Sequence, residues 1–142
     1  MYINTLLNVG FDTIDFGSFV SPKAIPQMRD TAAVLAKLDL SKTNSKLLAI
    51  IANVRGAKDA AQFEEIDYLG YPFSISENFQ MRNTHKTIAE SITALDEILN
   101  IADKSKKEVF IEICFRGLYR LLFVHRSCYQ RGYNVQVSTS YS

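Results

Sequence analysis

The chain has 142 residues, the size of one domain, and 47% of them are apolar, which suits a buried core. Charged residues make up 22% of the sequence and the net charge is +1, so the composition gives no electrostatic reason to expect a nucleic acid or an anionic membrane as partner. Apolar runs stay shorter than the roughly 18 residues that a membrane span requires, and the N-terminus lacks a signal-peptide pattern. These features favour a cytoplasmic protein.

The charge is divided unevenly along the chain. Residues 1–114 contain 12 Lys+Arg and 15 Asp+Glu, a net of −3, whereas residues 115–142 contain four arginines and no acid. The two cysteines, Cys114 and Cys128, are fourteen positions apart without a CxxC or His-rich context, which argues against a disulfide framework or a zinc site. The sequence therefore predicts a boundary near Cys114.

Strand and helix patterns alternate up to that boundary. The run KLLAIIA at residues 46–52 is typical of a strand covered on both faces, and residues 76–84 are predicted to be a loop. Residues 1–10 resemble the end of a helix. The other predicted elements are strands at 12–20, 66–75 and 108–114 and helices at 28–40, at 55–65 and after residue 87.

The last predicted helix has the clearest local signal. Thr87 and Glu90 have the spacing of a capping box, in which each side chain bonds the backbone amide of the other residue. Five apolar residues then follow at steps of three and four and predict one buried face: Ile88, Ile92, Leu95, Leu99 and Ala102.

Alternating strands and helices predict right-handed crossovers and a parallel sheet. Two architectures fit this pattern, a doubly wound open sheet and part of a (β/α)8 barrel, and periodicity does not choose between them. Four strands would make a small sheet, so we expect the chain to be a piece of a larger fold.

Polar residues at the ends of the predicted strands are the candidates for function, because parallel α/β folds place their sites there. Asp15 is near the end of one apolar strand but could simply bond a neighbouring strand's loop, and Asn53 follows the next strand but could simply cap a helix. No phosphate-binding glycine loop, catalytic triad or HxxxH spacing is present in the sequence. The remaining candidates are Ser18, Ser21, Lys23, Arg55, Arg82, Asn83, Glu112 and Cys114.

Three sequence strings occur in an order that resembles the hydroxymethylglutaryl-CoA lyases. GFDTIDFGSFVSPKAIPQM is similar to the family's second-strand region, KLLAIIANVRG to its third strand with an Asn-x-(Arg/Lys)-Gly turn, and SISENFQMRNTHKTIAES to its fourth loop and the helix after it. The resemblance implies that residues 1–114 form part of a (β/α)8 TIM barrel, roughly strands 2 to 5, with parallel strands and crossover helices.

The resemblance also implies an activity. It is the retro-Claisen cleavage of 3-hydroxy-3-methylglutaryl-CoA to acetyl-CoA and acetoacetate, a reaction of leucine degradation, with Mg²⁺ or Mn²⁺ as cofactor and an acyl-CoA as the bound partner. Matched residue by residue, Asp15 takes the catalytic acidic position, which is usually Glu. Ser18 and Ser21 match the loop serines beside the substrate, and Arg82 and Asn83 match a basic-Asn pair near the acyl-CoA.

Other parts of the family pattern are missing from this sequence. The Arg-Asp pair of the first strand, the His-x-His and Asn metal ligands and the catalytic cysteine loop have no match, so we expect the chain by itself to bind no metal and to be inactive. Residues 115–142 replace a Gly-rich stretch and are expected to be non-native, as after a frame shift. Open barrel edges should favour self-association.

Two alternatives to the lyase remain at this point. One is an acyl-CoA-condensing synthase of the same superfamily, similar to isopropylmalate or citramalate synthase, although SFVSPK argues against it. The other is a non-enzymatic gene remnant.

Overall fold

The computed structural model describes residues 2–115, 118–124 and 136–138, with side chains described through residue 113. The strands lie in one sheet in chain order, and one 3₁₀ turn spans Pro26–Met28. The strands are β1 (Thr13–Ser18), β2 (Lys46–Ile50), β3 (Tyr68–Ser74), β4 (Glu108–Phe115), β5 (Leu118–Val124) and β6 (Gln136–Ser138), and the helices are α1 (Tyr2–Val9), α2 (Thr31–Leu35), α3 (Val54–Ala60), α4 (Glu77–Thr84) and α5 (Ile88–Lys104).

The strands β1 to β4 are parallel, and each connection between them carries at least one helix. The predicted parallel sheet with crossover helices is therefore confirmed. The core lies between this sheet and the helices that cover it, and its largest fully buried side chains include Tyr71, Leu47, Ile51, Leu69 and Ile98.

The strand pairing changes from parallel to antiparallel after β4. β5 pairs antiparallel with β4, beginning at Phe115 and Leu118, and β6 pairs antiparallel with β5. This change falls at the boundary that the charge distribution predicts. The strands of a βα barrel are parallel throughout, so β5 and β6 depart from that pattern.

The prediction of a loop at residues 76–84 is wrong, because these residues form α4. Apolar periodicity does not show this helix, since its buried residue is a glutamine, Gln80. The helix predicted at residues 28–40 is also shorter than expected. Only α2 is α-helical there, and Asp39 folds the following chain into a turn by accepting bonds from the amide and the hydroxyl of Ser41.

The start of α5 confirms the predicted capping box. The Thr87 hydroxyl accepts from the Glu90 amide at 3.1 Å, and the Glu90 carboxylate accepts from the Thr87 amide at 2.8 Å. One predicted buried position is wrong, because Ile92 is 42% exposed while Ser91 is fully buried. Ser91 takes the inward position because its hydroxyl and carbonyl have buried partners, described below.

Lys107 ties together the end of the sheet at which β3 and β4 begin. Lys107 is buried, and its ammonium group donates hydrogen bonds of 2.6 Å to the backbone carbonyls of Phe63 and Ile66. Burial lowers the pKa of Lys107, and the nearby acid Asp67 partly opposes this. Within the described ranges, no helix is long and apolar enough to cross a membrane.

Candidate active site at the strand ends

The two faces of the parallel sheet differ in chemistry. The helix face, formed by alternate residues such as Leu47, Leu69 and Tyr71, is apolar and covered. On the opposite inner face, a Cβ atom added to Gly70 would lie 3.1 Å from the Glu112 carboxylate and within 3.0 Å of two aliphatic side chains of β2. The inner face therefore carries an acid. Its other members, by strand alternation and pairing, are Asp15, Leu48, Ile50, Tyr68 and Phe110.

Asp15 lies on the inner face because it pairs with Leu48 across β1 and β2. A bulge follows at once, so that Gly17 pairs with Ala49, the next residue of β2. Bulges re-aim side chains and are frequent beside active sites. Asp15 is exposed as a residue, yet neighbouring atoms displace part of the water around its carboxyl, which raises its pKa, and a hydrogen bond from the backbone of Gly17 opposes this to a lesser degree.

Asp15 and Glu112 influence each other although β2 and β3 lie between their strands. Burial raises the pKa of Glu112, and repulsion from Asp15 raises it further. Four flat strands would separate the outer two by roughly 14 Å, which is three inter-strand spacings. Curvature of the sheet around its inner face, as in a barrel, would bring the two carboxyls closer together than a flat sheet does.

The described residues do not by themselves form the divalent-cation site that the resemblance implies. Carboxylates suit Mg²⁺ and Mn²⁺, but these ions need several oxygen ligands. Within the described part of the chain, no group of three His, Cys, Asp or Glu side chains comes together as a metal site requires. Asp15 and Glu112 are two acids, fewer than such an ion needs as ligands.

Ser18 lies at the end of β1, and its hydroxyl has partners within the protein. It donates to the Ile50 carbonyl at 3.2 Å and accepts from the Val20 amide at 3.3 Å. Ser21 is half-buried in the following turn, where its hydroxyl accepts from the amide of Lys23. Both predicted serines therefore shape the loop after β1, and their contact with substrate stays a prediction.

The Asn-x-Arg-Gly turn packs against the same loop. Asn53 caps α3 by accepting from the Gly56 amide at 2.9 Å. A Cβ atom on Gly56 would lie only 2.6 Å from the Phe19 carbonyl oxygen, so only glycine allows this approach. The turn thus holds the end of β1 against the start of α3, and Arg55 lies exposed beside it.

A cleft of about 320 Å³ is bordered by the loop after β1, by α2, and by α3 with the residues that follow it. Its walls combine apolar side chains with two arginines, Arg29 and Arg55. Arg55 makes a 3.6 Å ion pair with Asp59, and the rings of Phe19 and Phe63 are 5.5 Å apart. This amphipathic cleft adjoins Ser18, the last residue of β1.

The loop after β3 is held by a buried polar network centred on Gln80. The side-chain oxygen Oε1 of Gln80 accepts from the backbone amide of Ser74 at 2.7 Å. The side-chain nitrogen Nε2 of Gln80 donates to the Ser91 hydroxyl at 2.7 Å and to the Thr84 hydroxyl at 3.2 Å. Tyr71 adds a bond from its hydroxyl to the Ser91 carbonyl at 3.3 Å. The network fixes the position of α4 on β3 and α5.

Arg82 and Asn83 lie on α4, and both are exposed. They are held at the end of β3 where ligands bind in parallel α/β folds. The helix ends at His85, whose left-handed backbone (φ 55°) bonds back to the Met81 carbonyl. The predicted pair is thus presented to solvent by a rigid helix rather than by a loop.

Comparison with known proteins finds relatives among the hydroxymethylglutaryl-CoA lyases. The hydroxymethylglutaryl-CoA lyase YngG of Bacillus subtilis is 33% identical over 104 residues, which are 73% of this chain and 34% of the relative. The mitochondrial hydroxymethylglutaryl-CoA lyase of Macaca fascicularis is 34% identical over 109 residues, 75% of this chain and 32% of the relative. This part of the chain is homologous to the hydroxymethylglutaryl-CoA lyases. The chain spans about a third of the length of the curated relatives it matches, and no protein-family model matches it.

Solved lyase structures confirm the fold. The HMG-CoA lyase of Bacillus subtilis superposes with a TM-score of 0.73 at 30% identity, over 79% of this chain and 37% of the other. An HMG-CoA lyase from Acinetobacter baumannii, solved in complex with coenzyme A and 3-methylmalate, gives a TM-score of 0.71 at 32% identity, over 78% of this chain and 35% of the other. The parallel part of the sheet is therefore part of a lyase-type TIM barrel.

Two residues of the candidate site are not found by sequence reasoning. Glu112 is a candidate only as a strand-end residue, and no sequence pattern indicates that the charge of Asp15 acts on it, because their strands are separated by two others. Gln80 had no apolar pattern to mark it as buried. The signal that could have found Gln80 is its position among the small polar residues Ser74, Thr84 and Ser91.

Proposed function

We propose that this chain supplies part of the substrate-binding side of a hydroxymethylglutaryl-CoA lyase barrel, and that it is inactive by itself. The observation that carries the proposal is the homology to these lyases over about three quarters of the chain. The reaction of the complete barrel would be the retro-Claisen cleavage of 3-hydroxy-3-methylglutaryl-CoA. The solved Acinetobacter baumannii relative, which holds coenzyme A, supports the same substrate class.

Asp15 is the catalytic residue of this proposal. A carboxyl whose pKa is raised lies nearer to the range in which a general acid or base works at neutral pH. Its position in β1, beside a bulge and on the inner face, suits contact with the reacting end of the substrate. Ser18 and Ser21 would line the adjoining loop, and Arg82 and Asn83 would hold the coenzyme A part.

Replacing the matched segment of the Bacillus subtilis lyase by residues 2–113 of this chain tests the proposal. The chimera should form acetoacetate from 3-hydroxy-3-methylglutaryl-CoA in the presence of Mg²⁺ or Mn²⁺. Replacing Asp15 by Asn in the chimera should lower kcat about 100-fold or more, the usual contribution of a general acid or base, with little change in KM. A folded chimera without turnover would contradict the proposal, and the unmodified chain with either ion should give no product.

We also propose that residues 115–142 lie outside the barrel portion, as the predicted boundary indicates. The antiparallel pairing of β5 and β6 supports this, because a lyase barrel would continue with parallel strands. Sequencing the encoding DNA tests it, since a shifted frame should restore barrel sequence after residue 114. A cytoplasmic location, a place in leucine degradation and self-association through open barrel edges remain predictions.

A further inference from the structure

We infer that the cleft bordered by the loop after β1, α2 and α3 binds a small carboxylate with an apolar body, of about the size of phenylacetate. Its volume of about 320 Å³ is near the lower end of the range of small-molecule sites, about 300 to 1,000 Å³. Asp15 and Glu112 of the inner face do not line the cleft, so the inference goes beyond the proposed function and does not depend on it. Ser18 borders the cleft, but its hydroxyl is bonded to Ile50 and Val20.

The walls of the cleft are held in place by close contacts with the end of β1. Thr31, the first residue of α2, is buried, and its hydroxyl lies 2.8 Å from the Met28 carbonyl and 3.0 Å from the Ser18 carbonyl. On the other side, the close approach of Gly56 to the Phe19 carbonyl holds α3. The cleft is therefore preformed, and a ligand that enters it does not have to order these elements.

The apolar part of the lining suits a ring or a branched alkyl group. Phe19 and Phe63 are half-buried, their rings are 5.5 Å apart, and both line the cleft. Met28, on another part of the lining, is 43% exposed. An apolar group placed among these three side chains would remove apolar surface from water, which is the main source of binding energy in such a site.

The charges of the lining favour an anion. Two cations, Arg29 and Arg55, line the cleft together with one acid, Asp59. Arg55 already lies 3.6 Å from Asp59, whereas Arg29 is exposed and has no ion pair within the part of the chain that the structure describes. A guanidinium forms charge-assisted hydrogen bonds with a carboxylate. The acid group of the ligand would therefore pair with Arg29 while its apolar body fills the cleft.

Nuclear magnetic resonance titration of the whole chain, with ¹³C-labelled methionine methyl groups, by phenylacetate tests the inference. The Met28 methyl resonance should shift and saturate, while that of Met81, which is similarly exposed (42%) but on α4, should stay unchanged. Arg29→Gln should weaken the binding of phenylacetate about 10-fold, as the loss of one hydrogen bond to a charged group does. Lys58→Gln is the matched control, because Lys58 is an exposed cation of α3 that does not line the cleft.

The ligand is varied in the same way. Phenylacetamide, which keeps the shape but lacks the charge, should bind about 10-fold more weakly than phenylacetate, and acetate, which lacks the ring, should leave the Met28 methyl unshifted. The inference is overturned if Met28 does not respond to phenylacetate, if Arg29→Gln binds it as Lys58→Gln does, or if the amide binds as tightly as the acid. It is also overturned if coenzyme A displaces phenylacetate, since the cleft would then belong to the acyl-CoA site. Equal urea midpoints of the two variants exclude a folding effect.

Discussion

The two faces of the parallel sheet differ in how they hold polar groups. On the helix face, polar groups are buried only with partners, as the Tyr71 hydroxyl is with the Ser91 carbonyl. On the inner face, loss of water around the carboxyls of the exposed Asp15 and the half-buried Glu112 raises their pKa values, and the charge of Asp15 raises the pKa of Glu112 further. The first arrangement lowers the free energy of the fold, whereas the second raises it.

This difference shows which residues serve folding and which are available for chemistry. A protein retains partly buried acids with raised pKa values mainly where they are used. The strings that resemble the lyase family contain both groups, since Gln80 and Gly56 support the fold whereas Asp15 and Arg82 are residues of the proposed site. Substitutions on the two faces should therefore change stability in opposite directions.

Gln80→Leu should have the largest effect on stability. The substitution leaves the buried Ser74 amide without its Gln80 acceptor and removes a donor to Ser91, which should lower the free energy of unfolding by about 3 kcal/mol. Urea denaturation measures the loss. Gln62→Leu, at an exposed glutamine, is the control and should change stability by no more than about 0.5 kcal/mol. Equal losses at the two sites would show that the buried network does not stabilise α4.

Gly56→Ala should have the second largest effect and lower the free energy of unfolding by about 2 kcal/mol. Alanine normally stabilises a helix relative to glycine, but here its Cβ would meet the Phe19 carbonyl 2.6 Å away and push α3 from the end of β1. Lys58→Ala, an exposed change in the same helix, should leave the urea midpoint nearly unchanged. A stabilised Gly56→Ala variant would mean that the contact with Phe19 is not close.

These two residues also show how far the sequence could predict the fold. Strands β1 to β4 and the capping box of α5 follow from apolar runs and from the spacing of Thr87 and Glu90, which are local signals. The helix α4 and the burial of Ser91 depend instead on partners that are distant in the sequence, so periodicity misplaced both. The Asp15–Glu112 interaction needs the curvature of four strands, which a sequence pattern does not contain.

Glu112→Gln should raise the free energy of unfolding at pH 7, by a smaller amount than Gly56→Ala lowers it. The folded-state pKa of Glu112 is raised above its ordinary value of 4.5, so the folded chain binds more protons than the unfolded chain between the two pKa values. Stability should therefore fall as the pH rises from 4.5 through the folded pKa, and the variant should lose this part of the pH dependence and be more stable at pH 7. Urea midpoints between pH 4 and pH 8 measure it, with the exposed Glu97→Gln as control.

Asp15→Asn should change stability least but tests the curvature of the sheet most directly. Removing the Asp15 charge removes the repulsion that raises the pKa of Glu112, so that pKa should fall when followed by carboxyl ¹³C titration. Asp12→Asn is the control, because Asp12 is an exposed acid that precedes β1. Equal pKa values of Glu112 in the two variants would mean that the carboxyls are too far apart to interact. The sheet would then be flatter than a barrel requires, and the inner face would not gather Asp15 and Glu112 into one site.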